Sequence, residues 1–162
     1  MINHILHVQG MNHWYLNALV KDLTEEQMVA QPVKGQTMNH AAWVLGHLAT
    51  GCDFALSLMG QKRVSPESYD KLCGMGSKPA NDRKLYPSKA ELLKVLDAGY
   101  KAVAAAFKKF PPAKMSEPMA KEMAHIWPTV GDAIVFMLTA HYPTHLGQLS
   151  AWRRALGLPS VM

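Results

Sequence analysis

Three histidines stand out because their spacing could assemble a metal site. His141 and His145 lie four residues apart in a segment with helical apolar spacing, so both imidazoles would share one helix face, about 5–6 Å apart at Cβ. His47 follows Trp43 by four residues in a second such segment. All three replace apolar residues on faces that we expect to point into the core. A buried imidazole needs partners for its ring nitrogens, and one shared cation could serve all three.

The three imidazoles would support the chemistry of an open metal site. Neutral ligands leave a divalent metal its full charge and at least one free coordination position, as in catalytic zinc sites. Neither histidine-bearing face carries an Asp or Glu, which argues against a two-histidine-one-carboxylate iron centre, and zinc, nickel and cobalt stay open. The free position could take water for hydrolysis or a thiol for transfer. No carboxylate is well placed as a general base, which favours the thiol.

Two further residues could orient the ligands, since a metal-bound histidine usually donates its second ring nitrogen to an outer partner. Gln148 lies one turn beyond His145, and His40 lies two turns before His47 on the same face. The remaining histidines are predicted to be ordinary residues: His4, His7, His13 and His125. Among these four, His13 is the one that could approach the site.

Four long segments must position these residues, and all show the three- to four-residue apolar spacing of helices. The predicted helices cover residues 2–23, 39–59, 88–110 and 129–156. Asn39 is expected to cap the second helix, Ser88 opens the third with a capping box to Glu91, and Thr129 with Asp132 opens the fourth. The predicted fold class is an all-α four-helix bundle. Residues 61–87 form a long connection, which we interpret as a crossover.

Pro143 interrupts this pattern between two predicted ligands. It has no N–H to donate to the carbonyl of Thr139, as an α-helix would require. We therefore expect a kink or a split in the fourth helix at this point. A split would weaken the argument from the four-residue spacing.

Composition limits the class of protein. The chain has 162 residues, 49% of them apolar, and we interpret residues 1–162 as one folded domain. Two cysteines exclude a disulfide scaffold and fit the reducing cytoplasm. No apolar run is expected to reach the roughly 18 residues of a membrane span, and the N-terminus lacks the basic start of a secretory signal.

The net charge of +5 is unevenly placed. Residues 61–90 carry seven basic and three acidic side chains, so this connection could attract an anionic thiol or simply form a solvated surface. A basic chain also suggests nucleic-acid binding, but we recognise no helix-turn-helix, zinc-finger or RNA-binding signature and expect no nucleic-acid partner.

Two segments resemble the DinB/YfiT-like superfamily of metalloenzymes. These are NHAAWVLGHLA in the second helix and HYPTHLGQLSAWRRALGLP near the C-terminus. Members typically carry a histidine after a tryptophan on the second helix and an HxxxHxGQ segment. The matching ligands here are His47, His141 and His145, with Gln148 in the GQ pair. Pro143 departs from the commonest pattern.

The resemblance implies a four-helix bundle with one divalent metal, zinc or nickel, in a pocket at one end. It also implies thiol-dependent transfer or isomerisation with a low-molecular-weight thiol, and a homodimer in some members. The sequence thus predicts a metal-dependent enzyme that acts on a small-molecule thiol and an electrophilic substrate. The alternatives are a metal-dependent hydrolase at the same site and a metal-binding bundle without catalysis.

Overall fold

The computed structural model describes residues 2–162, and these residues form helices and no strand. The helices are α1 (Ile2–Val20), α2 (Ala41–Leu58), α3 (Ser68–Cys73), α4 (Lys89–Lys109), α5 (Val130–Phe136) and α6 (Tyr142–Ala155). A π turn, Met137–His141, joins α5 to α6, and short 3₁₀ turns cover Gln27–Val29, Arg83–Leu85 and Pro112–Ser116. The predicted all-α bundle is confirmed. The short helix α3 is an addition, since the sequence pattern predicted only a connection there.

The bundle places α1 and α2 at opposite corners, because each of them packs against both α4 and α6. Helices α2 and α4 run in the same direction. Gly99 of α4 packs against Cys52 of α2, and Met59 and Phe110, which follow the ends of these helices, line one groove. Parallel neighbours need a connection that returns along the bundle. The predicted crossover is therefore confirmed, and we call residues 61–87 the return segment.

Helix α2 is the core helix of the bundle. Its 18 residues have a mean hydropathy of 1.2, and 67% of them are buried. By length and composition alone this helix could cross a membrane, which corrects the expectation that no segment reaches that threshold. A core helix passes the same test, and α2 is covered by α4, α6 and the return segment.

The cap of α2 differs from the prediction. His40, not Asn39, is the N-cap residue, and its Nδ1 accepts a hydrogen bond from the backbone N–H of Trp43 at 3.2 Å. The other ring nitrogen, Nε2, donates to the carbonyl of Ala80 at 2.8 Å. Asn39 is displaced from the capping position, and its amide donates to Gln148 Oε1 at 2.9 Å instead.

Three of the hydrogen bonds that hold the return segment against α2 come from one face of that helix. His40 bonds to Ala80, the indole Nε1 of Trp43 donates to Ser77 Oγ at 2.9 Å, and His47 Nδ1 donates to the carbonyl of Cys73 at 2.7 Å. Residues later in α2 therefore pair with residues earlier in the return segment. The two stretches are therefore antiparallel and in a defined register.

Gly46 lets these two stretches approach each other closely. A Cβ at this position would lie 2.9 Å from the Cβ of Cys73, inside the distance that real side chains allow. Cys73 is fully buried in this contact. Residue 46 must therefore be glycine for the carbonyl of Cys73 to reach His47.

The π turn resolves the problem that Pro143 poses. This proline lies in the first turn of α6, where a helix does not need its N–H, and the wider turn before it removes the clash with the preceding carbonyls. The interruption predicted at Pro143 is therefore a π turn, and the two histidines on either side of the proline remain close to each other. The rings of His141 and His145 are 4.7 Å apart between centroids.

We predict that Gly46→Ala lowers the free energy of unfolding by about 1–3 kcal/mol, because the added methyl overpacks the contact with Cys73. Gly147→Ala is the matched control. It lies inside α6, where a Cβ would meet nothing within 4 Å, and should raise stability by about 0.5–1 kcal/mol. Urea unfolding monitored by circular dichroism measures both. An unchanged Gly46→Ala midpoint would contradict the close packing.

Candidate metal centre

His47 from α2, His141 from the π turn and His145 from α6 converge at one point. One ring nitrogen of each lies within 4.8 Å of the others. The Nε2 atoms of His47 and His141 are 3.1 Å apart. Two ligands of a tetrahedral zinc ion with ordinary bond lengths are separated by about 3.3 Å. The structure therefore brings the three predicted ligands together in a group that could hold one metal ion, with one pair of nitrogens near the separation of two zinc ligands.

His47 is oriented from two sides. Its Nδ1–H donates to the carbonyl of Cys73, which leaves the lone pair of Nε2 free for a metal. The ring also stacks on Trp43, with centroids 4.5 Å apart and planes at 10°. Since Ser77 accepts from that indole, the return segment positions both rings of the stack.

His145 has an amide as its outer partner. Its Nδ1 donates to Gln148 Oε1 at 3.0 Å, and the same oxygen accepts from Asn39 of the segment before α2. Gln148 therefore lies where the sequence placed it, in a position to orient a ligand. It also ties α6 to the start of α2.

His40 does not reach the cluster by a hydrogen bond. Both of its ring nitrogens are used by the backbone, one by Trp43 and the other by Ala80. The prediction that it orients a ligand is therefore wrong, and His40 is a helix cap. It acts on His47 only by fixing the first turn of α2, which carries Trp43. The sequence could not show this, because a histidine cap has the same spacing as a core-facing histidine.

Gly51 is a site residue that sequence reasoning missed. A Cβ there would lie 3.0 Å from Cε1 of His141 and 3.1 Å from the methyl of Met137. The missing side chain leaves room for the imidazole between α2 and the π turn. Its position one turn beyond His47 was the available signal.

Burial keeps the three imidazoles neutral. It lowers the pKa of His141 to about 3 and that of His145 to about 4, and the neighbouring histidines add to the effect. Burial also lowers the pKa of His47 below its ordinary value. His47 and His145 commit their Nδ1 protons to oxygen acceptors, so their Nε2 atoms present bare lone pairs. A divalent cation fits this donor set.

The three histidines line a pocket of about 580 Å³. The rest of its wall is mostly apolar and comes from α2, the return segment, α5 with the π turn, and the segment before α5. The large apolar side chains are Phe54, Met75, Met123, Ile126, Trp127, Phe136 and Met137. No lysine or arginine among residues 2–162 lines it. The centre is therefore accessible to a small molecule.

Asp70 is a carboxylate in the pocket wall that the helical pattern did not reveal, since it lies in α3 of the return segment. Arg63 binds both of its oxygens, at 2.8 and 3.0 Å. These hydrogen bonds lower the pKa of Asp70 below its ordinary value. Asp70 is accordingly a weak base.

The other histidines lie outside the cluster. His4, His7 and His125 are exposed, as expected. His13 is partly buried instead, stacks on Tyr100 at 4.1 Å, and bonds to the hydroxyl of Tyr142 at 3.1 Å. It touches the neighbour of His141 but not the converging nitrogens.

Comparison with known families agrees with this arrangement. The family model described as the DinB superfamily matches residues 13–149, which include all three converging histidines. The chain belongs to the DinB superfamily. No curated protein gives a significant match to it. The resemblance seen in the two sequence segments thus extends over most of the chain.

We predict that Gln148→Leu weakens zinc binding about 10–100-fold, because His145 loses the acceptor that orients it. Gln148→Glu keeps an acceptor oxygen and should bind zinc about as tightly as the native chain. Competition with a chromophoric chelator measures both affinities. Equal affinities in the two variants would show that the side-chain oxygen does not orient the ligand.

We also predict that the metal-free protein loses stability as the pH falls below about 6.5. The unfolded chain protonates its histidines near this pH, whereas the folded chain keeps His141 and His145 neutral until about pH 3 to 4. The unfolded state then binds more protons, so the free energy of unfolding decreases. Urea unfolding across this range measures the slope. The slope should be smaller in the double variant His141→Gln/His145→Gln and unchanged in His125→Gln. A smaller slope in His125→Gln than in the double variant would show that the two buried histidines do not cause the pH dependence.

Proposed function

We propose that this DinB superfamily protein is a divalent-metal-dependent enzyme that activates a low-molecular-weight thiol for attack on an electrophilic substrate. The observation that carries the proposal is the convergence of three neutral imidazoles on an accessible pocket. A structural zinc site is closed by four protein ligands, whereas three leave a position free. Zinc and nickel are the metals we propose. A bound divalent ion would lower the pKa of a thiol that reaches it.

The chain's own residues contribute position and environment. His47, His141 and His145 would hold the metal, while Cys73 and Gln148 keep two of the rings aimed at it. The wall is mostly apolar, so a bound substrate would displace water from it and strengthen electrostatic interactions at the sulfur. In the reaction the thiol proton passes to solvent and the sulfur forms a bond to the electrophilic carbon. The bond from that carbon to the leaving group breaks, and the leaving group keeps the electron pair.

A metal-dependent hydrolase is the second candidate, and Asp70 is the observation that favours it. A hydrolase gains from a carboxylate base near the metal. The ion pair with Arg63 works against this role, because it holds the pKa of Asp70 low. Ester hydrolysis that depends on metal and is lost in Asp70→Asn would favour the hydrolase over the transferase.

A cytoplasmic location would supply the small thiols that this reaction needs. Cys52 and Cys73 are both free and buried, which is compatible with a reducing compartment. We therefore include the cytoplasm in the proposal.

We predict that untagged protein binds one zinc or nickel ion per chain and that His141→Ala loses it. The loss of affinity should exceed the about 10–100-fold expected for an outer partner, since a ligand itself is removed. Elemental analysis and thiol-conjugation rates with a chromogenic electrophile measure metal content and activity. His125→Ala, an exposed histidine, is the control and should match the native chain.

Two results would contradict the proposal. One is retention of the metal by His141→Ala, which would place the ion elsewhere. The other is a conjugation rate in the metal-loaded native chain no higher than the uncatalysed rate for every thiol tried. In that second case the non-catalytic metal-binding bundle is the better description.

A further inference from the structure

We propose that the thiol taken up by this pocket is uncharged and apolar, an alkyl or aryl thiol, rather than a peptide thiol that carries carboxylates. This inference rests on the proposed function and names its substrate class. It follows from the charge and the shape of the pocket wall.

The pocket wall offers no partner for a carboxylate. Among the described residues that line it, none is a lysine or arginine, and the carboxylate of Asp70 is already paired with Arg63. An anion buried against apolar side chains without a paired cation loses hydration that nothing replaces. A carboxylate-bearing thiol should therefore bind weakly here.

The basic return segment does not change this balance, although it borders the pocket. The residues it places in the wall are Asp70, Gly74 and Met75. Arg63 is held by the carboxylates of Asp70 and Asp53, and Arg83 is paired with Glu25. None of the lysines and arginines of this segment lines the pocket, and its lysines are exposed, which favours the solvated surface over attraction of an anionic thiol into the site.

Aromatic rings form a continuous wall towards the metal centre. Trp127 lies 5.8 Å from Phe54 and 5.3 Å from Phe136 between ring centroids, and Phe136 lies 6.3 Å from His141. An apolar group lying along this wall would bring an attached sulfur close to the histidines. Aromatic side chains of this kind bind apolar ligands by area and by ring stacking.

Large apolar side chains stay exposed around the same pocket. Met75 is 90% exposed, Ile126 56% and Phe136 38%. Grouped apolar exposure of this kind commonly marks a binding site, since a folded chain otherwise buries such residues. The segment that carries Ile126 and Trp127 is held at its base, where Met119 N–H donates to the carbonyl of Pro128 at 3.1 Å. The wall is therefore built into the fold.

A matched pair of thiols tests the inference. Phenylmethanethiol and 4-(mercaptomethyl)benzoate differ only in one carboxylate. Cobalt(II)-loaded protein is titrated with each, and the sulfur-to-cobalt charge-transfer absorption reports binding directly, without any measurement of turnover. We expect the uncharged thiol to bind at least about 10-fold more tightly.

Two variants with matched controls locate the effect. Met75→Lys should raise the affinity for the carboxylate thiol, whereas Met11→Lys adds the same charge on α1 and should not. Trp127→Ala should weaken phenylmethanethiol about 10-fold by removing stacking area, while Trp14→Ala, on the exposed face of α1, should leave it unchanged.

The outcomes separate the two proposals. Equal binding of the two thiols, or tighter binding of the carboxylate thiol, overturns the inference on charge and leaves thiol activation standing. No charge-transfer band with either thiol, in protein that has bound cobalt, overturns thiol activation and this inference together.

Discussion

The hydrogen bond from His47 to the carbonyl of Cys73 is the contact on which the site depends. It fixes the ring and the protonation of one ligand, and it also fixes where the return segment lies. Gly74 and Met75 follow directly and form part of the pocket wall. A single register between helix and connection thus sets both the metal ligand and the surface that a substrate would meet. Gly46 is the steric condition for that register.

The three histidines are polar, but they are partly buried among apolar side chains that disfavour their protonated form. Burial keeps His141 and His145 neutral at the pH of the cell, so their nitrogens can act as ligands without first losing a proton. The Nε2 atoms of His47 and His141 form a hydrogen bond with each other, which a bound cation would replace. The proposed metal binding and the proposed preference for an uncharged thiol would therefore both depend on the apolar surroundings of the three histidines.

The sequence predicts best what local periodicity controls. It indicated which helix faces carry His47, His141 and His145. The capping box expected at Ser88 is present, and Thr129 with Asp132 opens its helix as predicted. Contacts made by the return segment could not be predicted in this way. That segment has no long periodic pattern, so neither its internal Arg63–Asp70 pair nor its hydrogen bonds to the α2 face could be predicted from local spacing. For Pro143 the sequence indicated a disruption but not its form, because a kink, a break and a π turn all accommodate a proline.

The π turn has a consequence for how this helix can vary. A wider turn holds more residues between its ends than an α-helical turn does, so the α5–α6 segment depends on its length as well as on its side chains. Loss of one residue between positions 137 and 140 would replace the wide turn with an ordinary α-helical turn. The proline would then lie in the interior of a continuous helix, where its ring clashes with a preceding carbonyl. This part of the chain therefore tolerates substitutions better than it tolerates a change in the number of residues.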